Sequence, residues 1–116
     1  MSSSDEVVVI AFIKTREGVD PDRFGEWAAS TDLPTWRSKD VVLAFDTYRV
    51  TDADESGVDA DFVEVMHLRS WEEWVEVGRT DPDIAPLATA FEQLVDDAEV
   101  RRIRVLPVDR LQPVDG

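Results

Sequence analysis

Strand, helix, strand, strand, helix, strand is the order that hydrophobic patterning imposes on this 116-residue chain. That order predicts an α+β domain, a ferredoxin-like four-stranded antiparallel sheet with helices on one face. Three observations carry the prediction. β-branched and aromatic runs of strand length recur at the start, middle and end of the chain, capping signals precede two amphipathic stripes, and an acidic loop joins the two middle strands.

Val7 to Ile13 is a short, nearly continuous apolar run, the pattern of a strand buried on both faces. Beyond Gly18, Asp20 is placed to cap a helix with Pro21 at its first position, and Phe24, Trp27, Ala28 and Thr31 follow at helical spacing to about Ser30. Leu33-Pro34 is expected to break that helix and restart a short turn. Ala44 to Val50 and Phe62 to Leu68 have strand composition, and the loop between them holds five acids, a glycine and no base, as a solvated hairpin connection would. Ser70-Trp71-Glu72-Glu73 has the form of a capping box for a helix to about Val77, which Gly78 is expected to end. Leu87, Phe91, Leu94 and Val95 make the stripe of a helix from Pro86 to about Asp97, and Val100 to Leu106 is the last strand. The chain is thus one domain, 1–116, with 1–5 and 108–116 expected as flexible tails.

A net charge of -14 argues against nucleic acid or an anionic membrane as partner, since both would be repelled. Absence of cysteine removes disulfides, thiolate metal sites and thiol nucleophiles, and one histidine leaves no conventional metal site. The N-terminal segment lacks the basic region and cleavage site of a signal peptide, and no apolar run approaches the ~20 residues that span a bilayer, so a cytoplasmic location is expected. Helices on one face leave the other sheet face apolar and uncovered, and a homodimer closing sheet against sheet is the expected remedy.

The segments GVDPDRFGEWAASTDLPTWRS (18–38), FDTYRV (45–50), DFVEVMHLRSWEEW (61–74) and AFEQLVDDAEV (90–100) together resemble the RedY-like (HapK-like) family of the dimeric α-β barrel superfamily. The resemblance implies a dimeric barrel and a cofactor-independent protein acting on aromatic, pyrrole- or indole-derived biosynthetic intermediates, by condensation, cyclisation or dehydration. Binding without chemistry, cofactor-free oxygenation and haem degradation also occur on this fold, so the site has to decide.

His67 is the sole histidine and the side chain whose ordinary pKa suits proton transfer near neutrality; its plainer reading is a strand-end residue bonded to backbone. Alternation along Phe62–Leu68 sets His67 on the face opposite Glu64. Asp32 either caps a turn or acts as an acid-base partner that orients His67, and Tyr48 either packs or donates a hydrogen bond to substrate. Among the four tryptophans, Trp36 is the first candidate for a stacking wall, followed by Trp27, Trp71 and Trp74, with Thr31 and Thr35 on the same STDLPTW segment as further substrate contacts. The expected activity is cofactor-free acid-base cyclisation, condensation or dehydration of a small aromatic substrate. A cofactor-free monooxygenase of the polyketide-quinone type and a non-catalytic binding protein are the alternatives.

Overall fold

A computed structural model describes residues 5–51 and 57–110. Its elements are β1 (Val7–Ile13), α1 (Pro21–Trp27), a π-helical turn (Ala28–Asp32), α2 (Leu33–Arg37), β2 (Val42–Arg49), β3 (Phe62–Leu68), α3 (Trp71–Thr80), α4 (Ala85–Leu94), a 3₁₀ turn (Asp97–Glu99), β4 (Arg101–Val105) and a second 3₁₀ turn (Val108–Arg110). The strands form one antiparallel sheet in the order β2-β3-β1-β4, the ferredoxin-like arrangement. Residues 52–56 of the predicted acidic loop, and 1–4 and 111–116 of the predicted tails, lie outside the described residues. Among the described residues no helix is long and apolar enough to cross a membrane.

The Asp20 side chain accepts from the Asp22 N–H at 2.9 Å and Pro21 opens α1, as the cap signal predicts. A short helix does restart at Leu33, as predicted, but a π turn joins it to α1 in place of a break. The helical path continues to Arg37, because a π turn absorbs the proline: the Leu33 N–H reaches back five residues to the Ala28 carbonyl, and Pro34 has no N–H to leave unpaired. A π turn takes in more residues than an α turn, and the surplus rotates the face. Thr31, expected on the buried stripe, is exposed, whereas Asp32 and Leu33 are buried.

Ser70 caps α3 by accepting from the Glu73 N–H, as predicted. Gly78 does not end that helix, which runs to Thr80 and closes with the Asp81 N–H on the Val77 carbonyl. A mid-helix glycine costs about 1 kcal/mol, which packing of Trp74 and Val77 on the core offsets. Helix α4 stops at Leu94, short of the predicted Asp97, because Val95 turns extended and bridges Thr15 while the Leu94 carbonyl accepts from the Arg16 N–H.

Two apolar clusters fill the space between sheet and helices. One gathers Val9, Leu33, Trp36, Phe45, Met66, Ile84 and Leu87, the other Ile13, Phe24, Phe62, Leu94 and Val95. The strand registers place Val8, Ile10, Phe12, Val63, Val65, Ile103 and Val105 together on the opposite face, which no helix among the described residues covers. The first strand, expected to be buried on both faces, is therefore buried on its helix side and half-buried on the other.

Candidate active site

Cross-strand pairing fixes one row of the helix-facing sheet surface: Thr47 on β2, Glu64 on β3, Ala11 on β1 and Arg102 on β4. Glu64 thus points from a central strand into the helical layer, where the π turn delivers Asp32. Both carboxyl groups line a cavity of about 370 Å³ between the sheet and the helices. Trp36, Phe45, Met66, Trp74 and Phe91 supply its apolar walls, and Glu92, Asp97 and Arg102 complete its polar lining. The Trp36 and Trp74 rings are stacked with centroids 5.5 Å apart.

Asp32 and Glu64 are 6% and 8% exposed, the two buried acids among the described residues. Burial pushes Asp32 up to about 7. Glu64 is pushed to about 8, chiefly by burial, further by the Asp32 charge, and Arg102 pulls in the opposite direction. Glu64 Oε2 and Trp74 Nε1 are buried without a hydrogen-bond partner, a condition that costs roughly 1–3 kcal/mol per group. Arg102 is engaged elsewhere, its Nη2 donating to Asp97 Oδ1 at 2.9 Å. Two acids that titrate near neutrality, close enough to influence each other, can hold one proton between them and so present an acid and a base together.

The predicted residues divide between this site and other places. Asp32, Trp36 and Trp74 line the cavity. His67 pairs laterally with Ala44 and Val8, and Tyr48 with Val63, so both stand on the uncovered sheet face, and the chain does not bring His67 to Asp32. Tyr48 is 55% exposed. Trp27 packs between Phe24 and Phe91, with centroids 5.7 and 6.4 Å away, and Trp71 carries the Arg104 guanidinium 4.6 Å over its ring. Thr31 is exposed beside Ser30, and Thr35 lends its backbone carbonyl to the Ser38 hydroxyl. Glu64 is the residue that sequence reasoning passed over, although FVEVMHL sets it on one face with Phe62, Met66 and Leu68, and an acid on the apolar side of a strand is the signal. A larger hollow of about 650 Å³ opens beside β1 and β4, but of its charged residues, Lys14, Arg16, Glu17, Asp59, Glu99 and Arg101 are exposed and Asp96 is half-buried, so none is held away from water as Asp32 and Glu64 are.

Both acids have raised pKa values when folded, so the folded chain binds more protons than the unfolded chain between about pH 4 and 8. Their contribution to stability is full below the ordinary carboxylate range and is lost as pH rises through 7 and 8. Urea unfolding across pH 5 to 8.5 is expected to show that decline, and Glu64→Gln to flatten it and to raise stability at pH 8 by about 1–3 kcal/mol. Glu73 and Asp81, lowered by Arg69 and Lys39, act in the acid range below this window.

The family model described as REDY-like protein HapK matches residues 7–104. No curated protein sequence matches the chain. Among solved structures, HapK from Hahella chejuensis superposes with a TM-score of 0.70 at 20% identity, over 92% of this chain and 97% of that one. SnoaB, a cofactor-independent oxygenase from Streptomyces nogalater, gives 0.67 at 16% identity, over 97% and 99%. A dimeric ferredoxin-like protein of unknown function from Thermobifida fusca gives 0.64 at 16% identity, over 88% and 91%. At these identities the structural likenesses establish the fold, and the match across nearly the whole domain establishes more: this chain belongs to the REDY-like HapK family.

Proposed function

We propose that the chain is a cofactor-independent acid-base enzyme for a small aromatic biosynthetic intermediate, pyrrole- or indole-derived, and that Asp32 and Glu64 do its proton transfers. The observation that carries this reading is the burial of two carboxyl groups in one aromatic-walled cavity. In a dehydration or dehydrative cyclisation, the carboxylate of Asp32 takes a proton from a ring N–H or an adjacent C–H. Glu64, the group held higher, gives its proton to the leaving hydroxyl, which departs as water. Transfer from Asp32 back to Glu64 resets the pair. Trp36 and Trp74 hold the ring plane and limit water. Glu64 takes the place that the sequence reading gave to His67.

A second copy of the chain is part of the proposal. The uncovered face carries seven β-branched or aromatic residues in adjacent registers, a patch that a lone protomer would leave in water. Closing two such faces gives the dimeric barrel and encloses His67 and Tyr48 at the interface, outside the cavity.

On a competent aromatic substrate, Asp32→Asn and Glu64→Gln are each expected to lower kcat by about 10²- to 10⁴-fold, and His67→Ala to leave it within a few-fold. Loss of turnover in His67→Ala with retention in Glu64→Gln would reverse the assignment. Oxygen uptake during turnover would point to an oxygenase, and tight binding without turnover to a carrier. Light scattering at micromolar concentration is expected to give a dimer that Val65→Asp dissociates; a monomeric parent protein would contradict the closed face.

A further inference from the structure

The charges around the cavity are lopsided. Asp32 and Glu64 sit within it, Glu92 and Asp97 complete its lining, and Arg102 is the one cation there among the described residues. That arginine is paired with Asp97 at 2.9 Å, which offsets its charge toward an incoming anion. Glu64 adds an independent sign of a missing partner, since it is 8% exposed and its Oε2 accepts no hydrogen bond. The aromatic rings of Trp36, Trp74 and Phe91 in its walls favour a cation beside them, while the unpartnered Trp74 Nε1 is a neutral donor that suits a substrate oxygen and adds no charge.

We infer that the cavity selects a cationic ligand: the substrate is an aromatic molecule bearing a protonated amine, and aromatic carboxylates are rejected. The inference rests on the reading of this cavity as the substrate site. An ammonium N–H supplies the donor that Glu64 lacks and pairs with whichever carboxyl is ionised, so a buried charge gains a partner on binding. A carboxylate in the same place meets two acids and a committed arginine, and the remainder of a chain of net charge -14 repels it from a distance.

Three probes of one shape separate the contributions: 2-naphthylmethylamine, 2-naphthylmethanol and 2-naphthoate, titrated calorimetrically at 0.15 M salt, where surface attraction is screened beyond about 8 Å. The amine is expected to bind about tenfold or more tighter than the alcohol, and the naphthoate most weakly. Glu64→Gln should shrink the amine's advantage to a few-fold. Asp97→Asn, a change at an exposed position, should free Arg102 and improve naphthoate binding. Equal affinity for all three probes, tighter naphthoate binding, or an amine advantage that survives in both Asp32→Asn and Glu64→Gln would overturn the inference and leave the acid-base reading intact. Failure of all three to bind would overturn both.

Discussion

Burying Asp32 beside Glu64 works against folding, and much of the architecture is arranged around tolerating it. An isolated ionised carboxylate in an apolar interior is costly, and the chain meets that cost by letting both groups keep protons to higher pH. The apolar clusters on either side are large enough to carry the penalty, with Phe24, Ile13, Leu68, Val9, Val41 and Val95 almost wholly removed from water. A structural role alone would be served better by leucine or methionine at either position, because a well-packed apolar pair carries no desolvation cost. The expense is understandable if the two acids have chemistry to perform.

Backbone geometry makes the juxtaposition possible. The two-residue period of β3 sends Glu64 into the helical layer and His67 to the uncovered face, a division fixed once Phe62, Met66 and Leu68 are buried. On the other side, one π turn decides whether the STDLPTW segment offers the cavity a hydroxyl or an acid. With regular α geometry Thr31 would continue the stripe of Phe24 and Ala28, and the wider turn presents Asp32 instead. π turns inside helices often accompany functional sites for this reason, since the strain is local and the gain is the aim of one side chain.

Much of this was legible before the structure. Phe62–Leu68 is the third strand with the predicted bounds, Asp20 and Ser70 cap their helices as their positions imply, and Asp32, Trp36 and Trp74 belong to the cavity. What escaped notice has physical causes. Propensity and periodicity assume 3.6 residues per turn, so they cannot register a π turn, and a proline that normally interrupts a helix was absorbed by one. Strand alternation already sets Glu64 on the buried face, but the ordinary pKa of a lone histidine suits proton transfer without help, whereas the carboxyl groups acquire theirs from burial by residues far apart in sequence. Trp27 and Trp71 look like Trp36 and Trp74 in composition, and only tertiary packing separates a core ring or an arginine platform from a cavity wall.

The proposed chemistry requires that Asp32 and Glu64 exchange a proton near neutral pH. Carbon-detected NMR of the side-chain carboxyls, followed from pH 3 to 9 in the unsubstituted protein, observes this directly. Asp32 and Glu64 are expected to titrate near 7 and 8, each curve shifting when the other residue is replaced by its amide. Titration of both groups in the ordinary range near pH 4, with neither responding to substitution of the other, would contradict it.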